Sequence, residues 1–258
     1  MNRSHRPTHP RHFSLILFLL LSLAGVQADT GTYNDPPLRP FEIDYEISRS
    51  GLTIITMKRR LLQTGTDEYR FESHSRPTKT ISWLIKDRIT EHSRWQYQQQ
   101  HLRPLHYHYQ RSGGKKKSRI ELDFDWQQGI VNDSERKPVW SKKIPPHTSD
   151  KLLYQLQLML DLQAGKQTFS YTIADSGKLR HYDFKTVGSE TLQLPLGRYE
   201  TIKLYRNSGP RSTTIWCAPE LNYLPIRIEH KEKDGSIMQA NATRIKGLPF
   251  ATKRGSLE

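Results

Sequence analysis

The stretch HTSDKLLYQLQLMLDLQAGK, residues 147–166, decides the fold. Its apolar residues recur with a period of about 3.6 rather than 2, the signature of a helix. Thr148 or Ser149 is placed to cap it, Asp150 favours its first turn, and Gly165 can end it. These limits predict one α-helix near residues 148–164. Leu152, Leu153, Leu156, Met159 and Leu160 form one apolar stripe. Tyr154, Leu158 and Leu162 form a second, on roughly the opposite side. A helix that is apolar on two sides is buried on two sides. It needs a wall that curves around it.

The flanking chain supplies that wall in period 2. In PFEIDYEIS, Phe41, Ile43, Tyr45 and Ile47 share one face, while Glu42, Asp44 and Glu46 share the other. This is a half-buried strand. LTIITMKRRLLQ (52–63) and DEYRFESHS (67–75) continue the theme. Ile81, Trp83 and Ile85 alternate in KTISWLIKD, as do Trp95 and Tyr97 in SRWQYQ.

Four turn signals then fold strands back on themselves. Gly113-Gly114 as a type I′ turn sets His108 against Arg119, Tyr107 against Ile120, His106 against Glu121 and Leu105 against Leu122. Ser176-Gly177 sets Phe169 against Phe184 and Tyr171 against Tyr182. A loop at 207–210 sets Ile202 against Ile215 and Leu204 against Thr213. Asp234-Gly235 as a type I′ turn sets Leu224 against Ile245 and Ile226 against Thr243. In the first of these, apolar pairs fall on one face and histidines and charges on the other, so one register sorts both strands.

Composition agrees with a sheet that has one wet face. Hydrophobic residues make up only 34%, too few for layers buried on both faces, yet aromatics reach 10%, too many for disorder. The expected architecture is mainly β: a strongly curved antiparallel sheet, an open or partial barrel, around one central helix.

The N-terminus carries an address. MNRSHRPTHPRH has three arginines and no acid, FSLILFLLLSLAGV is a 14-residue apolar run, and Val26-Gln27-Ala28 ends it with small residues. That is a secretory signal peptide with cleavage between Ala28 and Asp29. The run falls short of the ~20 apolar residues a spanning helix needs. No cysteine follows it to take a lipid, and no second long apolar run follows. The expected organisation is a signal peptide at 1–28, a flexible leader at 29–40, a single domain at 41–247 and a tail at 248–258, in the periplasm.

Loss of the three arginines leaves 37 basic against 26 acidic residues, a formal +11. Inside a cell that surplus points to nucleic acid. For an exported chain the anionic neighbours are phospholipid headgroups, acidic glycans and phosphorylated envelope sugars. A lipid or anionic envelope component is therefore the expected partner, and nucleic acid is not. Cys217 stands alone, so no internal disulfide holds the core. TIWCAP offers it no neighbouring base, and it reads as a small strand residue.

His106 and His108 lie two apart on a strand, with Glu121 opposite and Asp123 near. Imidazole and carboxylate can hold a divalent metal. Local spacing fixes no third strong ligand, and Arg119 would repel a cation, so a polar sheet face is the expectation. GGKKKS (113–118) and ADSGKL (174–179) lack the glycine spacing and following helix of a phosphate loop. No G-x-S-x-G, H-E-x-x-H or C-x-x-C occurs. No catalytic residue and no cofactor are assigned.

The C-terminal half carries a family likeness. Pro195, Leu196 and Gly197 lead into a strand; Trp216 and Pro219 follow; then come Tyr223, Leu224, Pro225, Arg227 and Ile228 before a hairpin. Upstream, FDW (124–126) and the helical stretch fit the same pattern, so the likeness spans most of residues 41–246. The chain thereby resembles the bacterial periplasmic family called domain of unknown function 3108. The resemblance implies a bacterial exported protein with a mostly antiparallel fold, and it carries over no catalytic residue. Cys217 departs from the polar or aliphatic residue expected after the Trp.

Three functions stay open at this point. The first is an exported envelope protein that binds an apolar or amphipathic ligand, or an envelope partner, without catalysis. Tyr154, Leu158 and Leu162 would then face the ligand. The second is a structural interaction module with a filled interior. The third is a hydrolase or metal enzyme built on the polar sheet face.

Overall fold

The computed structural model describes residues 38–99 and 101–247. The Ala28/Asp29 junction, residues 29–37 of the leader and the tail from residue 248 lie outside the described residues. Leu38, near the leader's end, is buried in the core.

The strands are β1 (Phe41–Arg49), β2 (Leu52–Gln63), β3 (Tyr69–Pro77), β4 (Arg88–Gln98), β5 (His101–Ser112), β6 (Ser118–Asp125), β7 (Ile130–Asp133), β8 (Trp140–Lys143) and β9 (Ser149–Asp150). After helix α1 (Tyr154–Gln163) come β10 (Thr168–Asp175), β11 (Lys178–Leu194), β12 (Gly197–Ser208), β13 (Arg211–Ala218), β14 (Leu224–Lys231) and β15 (Ile237–Lys246). They form one sheet in the order β8-β7-β6-β5-β4-β3-β2-β1-β15-β14-β13-β12-β11-β10-β9. Each strand pairs with its neighbour in sequence except β8 and β9, which form the two edges, and β1 joins β15, so the first and last strands meet in the middle. Every pairing is antiparallel except β9 with β10.

The sheet curves but does not close into a barrel. Its edge strand β9 lies near β5 and reaches β4 through side chains, and β6–β8 extend beyond that line. Helix α1 sits inside the curve. Leu152, Leu153, Leu156, Met159 and Leu160 enter the larger apolar cluster with Phe41, Ile43, Tyr45, Phe71 and Trp95. Tyr154, Leu158 and Leu162 enter a second cluster with Phe169, Tyr171, Ile173, Phe184, Leu204, Ile215 and Cys217. Both stripes therefore pack on protein.

Polar side chains fix the helix in place. Gln155 accepts a 2.7 Å hydrogen bond from Arg59 on β2, and Gln157 accepts one of 3.0 Å from the backbone N–H of Leu102 on β5. Asp161 accepts from Tyr171 on β10 and from Lys166, each at 2.8 Å. The helix starts later than the sequence suggests, at Tyr154. Asp150 caps the preceding turn, its Oδ1 accepting from the N–H of Leu152 (2.8 Å) and Leu153 (2.7 Å). At the other end Gly165 takes φ +77°, and bonds from Lys166 to Asp161 and from Gly165 to Leu162 make a Schellman motif.

Three hairpin registers differ from those the turn signals predict. Phe169 faces Phe184 and Tyr171 faces Tyr182, as expected. In β5–β6, Tyr107 faces Leu122 and His108 faces Glu121, a slip of two residues. The connection runs over residues 113–117 rather than closing at two glycines. Leu204 faces Ile215, again a slip of two, because Gly209-Pro210 alone makes the turn. An even slip keeps each side chain on its face. In β14–β15 the slip is odd: Ile228 faces Ala240, because the turn holds three residues with Gly235 at φ +80°. The alternation in KTISWLIKD also fails. Lys79–Ile81 form a 3-10 turn, and local bonds from Leu84 and Ile85 back to Ile81 replace ladder bonds.

Candidate functional site

The interior is the first place to look for a ligand, and among the described residues the helix packs it. Where α1 meets β1, β2 and β3, the remaining void measures about 10 Å³ beside Phe41, Tyr45, Leu156 and Met159. That is room for about one water at most. Leu158 is fully buried and Tyr154 and Leu162 nearly so, all against aromatic and aliphatic side chains. These three residues are core.

A buried acid also lies inside. Asp150 is fully buried, and its Oδ2 accepts a 2.6 Å hydrogen bond from the equally buried Ser93 Oγ. Burial pushes its carboxyl up to about 6, against the opposing pull of Ser93 and the Leu152 and Leu153 N–H groups. Next to it, burial would lower the Lys151 ammonium, but the Asp175 and Glu91 carboxylates outweigh that and raise it. Arg180 bonds Asp175 at 2.8 Å. With no exposed surface, Asp150 meets no substrate.

The predicted histidine face exists on the side of the sheet turned away from the helix. His106 Nδ1 lies 2.8 Å from Asp123, and His108 Nδ1 lies 2.7 Å from Glu121. Glu121 also accepts from Arg119 at 2.8 Å. His106 Nε2 is 3.1 Å from the second Glu121 oxygen, an approach that becomes a charged hydrogen bond when the imidazole is protonated. Burial pushes Glu121 up, but the bonds from Arg119 and His108 outweigh it and hold the carboxyl low. His92, absent from the sequence argument, stacks 4.8 Å from His108 and completes a row of three rings. Burial first, then Arg70, His108 and His106, lower its imidazole to about 4. His106 is held by Asp123 and His108 by Glu121, and the second Glu121 oxygen has no hydrogen bond while His106 is neutral. Among the described residues, no three or more His, Cys, Asp or Glu side chains are grouped to hold a metal.

Trp216 and Arg227 form a second polar clamp. The Trp216 indole N–H donates to Glu190 at 2.8 Å, Lys203 Nζ lies 4.9 Å from the ring, and Arg227 lies 5.8 Å from it. The Trp216 and Lys203 bonds hold the Glu190 carboxyl low. Trp216 is buried, so its role here is packing. Cys217 is fully buried, which pushes its thiol well above the usual range and leaves it inert.

Open grooves lie instead outside the sheet, one of about 570 Å³ over β10–β12 and two larger ones over β1–β4. One groove of about 630 Å³ is lined by Glu46, Thr56, Lys58, His74, Arg76 and Arg88, among others. A second, of about 760 Å³, shares Thr56, Arg76 and Arg88 and adds Lys79, Ser82 and Lys86. These volumes fall in the range of small-molecule sites. Lys58 is paired with Glu42 at 3.2 Å. Arg76, Lys79, Lys86 and Arg88 are exposed and have no ion-pair partner among the described residues. Sequence reasoning missed this groove, because its cations come from strand ends and from a segment read as a strand.

Comparison with solved structures gives a fold likeness. The crystal structure of a "Beta-barrel-like Protein of Domain of Unknown Function DUF1849" from Brucella abortus superposes with a TM-score of 0.53 at 10% sequence identity. The match covers 81% of this chain and 98% of that one. Curated proteins give no significant match. The family signature has clear structural work. Gly197 takes φ +129° where β11 turns into β12, Pro219 opens a 3-10 turn, and the Pro225 carbonyl accepts a 2.6 Å hydrogen bond from buried Tyr45. The sequence pattern of "Protein of unknown function (DUF3108)" matches residues 41–241, and the chain belongs to that family.

Proposed function

We propose that the chain is an exported, non-catalytic binding protein of the cell envelope. It takes an anionic, amphipathic envelope molecule in the groove on the outside of its sheet. Export rests on the basic-apolar-small N-terminus that ends at Ala28. The formal +11 of the remaining chain favours anionic partners.

One observation carries the choice of site: four exposed cations without ion-pair partners border open grooves, while the interior is packed by the helix. Guanidinium groups at Arg76 and Arg88 suit phosphate or carboxylate oxygens. Thr56, Thr78 and Ser82 add hydroxyls, and Ile85 and Ile89 give an apolar strip for an acyl or alkyl part. An interaction module would also have a filled interior. Unpaired cations around an open groove favour the ligand.

The test is calorimetric titration of the purified protein with short-chain phosphatidylglycerol and short-chain phosphatidylcholine, both below their micelle concentrations. Saturable binding of the anionic lipid alone is expected, with at least tenfold loss in Arg76→Ala/Arg88→Ala. Equal binding of both lipids, or none, overturns the reading.

A further inference from the structure

We infer that one end of the sheet docks on an anionic lipid surface. This goes beyond the groove reading: it shares Lys79 and Lys86 with the groove but rests on Trp83, Leu84 and Lys115 to Lys117, which do not line it. In a meander, alternate connections lie at the same end. The β1–β2, β3–β4, β5–β6, β7–β8 and β14–β15 connections share one end here. Among the described residues, six large hydrophobic side chains are exposed, and five border these connections: Leu52, Trp83, Leu84, Val139 and Ile237. Trp83 and Leu84 are the most exposed, at 75% and 67%.

Cations surround them. Lys79 and Lys86 flank Trp83 in the β3–β4 connection, and Lys115, Lys116 and Lys117 fill the β5–β6 connection, all exposed. The two connections touch. A Cβ on Gly113 would lie 2.0 Å from the Lys86 carbonyl oxygen, and Arg111 bonds Asp87 at 2.7 Å. That ion pair neutralises the one acid within residues 78–87. The Trp83 N–H donates to the Thr80 carbonyl at 3.1 Å, so the indole's polar group is satisfied within the loop and its ring is free to enter an apolar layer.

The geometry selects a bilayer as the occupant. A protein partner buries a contiguous, shape-matched patch. Here the apolar side chains are spread over four separate connections, with only Trp83 and Leu84 adjacent, each able to dip among headgroups, with lysines beside them. Interfacial Trp and Leu backed by Lys is the pattern of peripheral lipid binding, and each Lys near an anionic surface adds attraction.

The experiment is flotation of the purified protein with vesicles of phosphatidylcholine alone or mixed in equal parts with phosphatidylglycerol. Wild type should float with the mixed vesicles, less so at high salt. Trp83→Ser/Leu84→Ser should lose flotation. Lys115→Gln/Lys116→Gln/Lys117→Gln should weaken it on the order of a hundredfold. Both variants change exposed side chains, and unchanged melting temperatures confirm intact folds. Absence of wild-type flotation, or flotation unaffected by either variant, overturns the inference. Dimerisation abolished by Trp83→Ser/Leu84→Ser without flotation also overturns it, and assigns the face to a second copy. Short-chain phosphatidylglycerol bound without vesicle flotation removes the docking surface and leaves the groove standing. Flotation without saturable short-chain binding does the reverse.

Discussion

Ser93 Oγ on β4 donates a 2.6 Å hydrogen bond to the carboxylate of Asp150 on β9. The two strands are far apart in the order of the sheet, so this bond ties its far edge to the inner side of its opposite half. An ionisable group at that junction makes stability depend on pH.

The folded protein holds a proton on Asp150 up to about pH 6, whereas the unfolded chain releases it near the ordinary 3.8. Between those values the folded state binds more protons, so stability falls as pH rises. The contribution is fully present below about pH 4 and lost above about 6, a difference on the order of 3 kcal/mol. Asp150→Asn keeps the acceptor for Leu152 and Leu153 and presents an N–H₂ to Ser93. Urea unfolding at pH 4.5 and 7.5 should show the variant gaining on wild type at the higher pH. A constant difference between the two proteins at both values would remove Asp150 from the pH dependence.

His92 acts with the opposite sign. Its imidazole is lowered to about 4 in the fold, chiefly by burial, against 6.5 when free. Between those values the unfolded chain binds more protons, so stability rises with pH. The contribution is fully present above about 6.5 and lost below about 4. His92→Gln should therefore make stability fall more steeply from pH 4.5 to 6.5 than in wild type. The same urea series checks it, and an unchanged slope counts against the assignment.

Much of this arrangement is legible in the sequence, and the failures have physical causes. The two helix stripes depend only on the period of Leu152 through Leu162, and both go where that period sends them. Phe169 and Tyr171 find their partners because Ser176-Gly177 is a two-residue turn with a positive φ at both positions. Where the turn length is not written in the residues, as between Ser112 and Ser118, face is right and pairing is not. Bulges at Asp44/Tyr45, Arg94/Trp95 and Trp216/Cys217 add shifts that alternation alone does not reveal. Ile81, Trp83 and Ile85 misled for another reason: alternation signals burial of one face, and Trp83 is mostly exposed. The basic groove was illegible because Arg76 and Arg88 meet only when β3 and β4 pair.

Gly113 joins the β5–β6 connection to the β3–β4 connection. It takes φ +84°, and an added Cβ would meet the Lys86 carbonyl oxygen at 2.0 Å. Gly113→Ala should destabilise by more than about 1 kcal/mol, since both the backbone conformation and the contact oppose it. Limited proteolysis should then cut faster within residues 78–87. Melting temperature and cleavage rate equal to wild type would mean that the connections do not lean on each other.

Leu158 decides whether the inner cluster is core or cavity. Its side chain is fully buried, and it shares its cluster with Leu162, Phe169, Phe184, Leu204 and Ile215. Leu158→Ala should cost roughly 2–5 kcal/mol, the range for a buried leucine whose surroundings collapse only in part. Leu158→Asp places a charge with no partner among apolar groups and should unfold the protein, as should Leu156→Asp on the opposite stripe. Total stability of a domain is about 5–15 kcal/mol, so neither aspartate variant should give a cooperative melt. Circular dichroism on heating is the measurement. If Leu158→Asp stays folded while Leu156→Asp does not, the second stripe faces removable material rather than protein, and the interior becomes a ligand site after all.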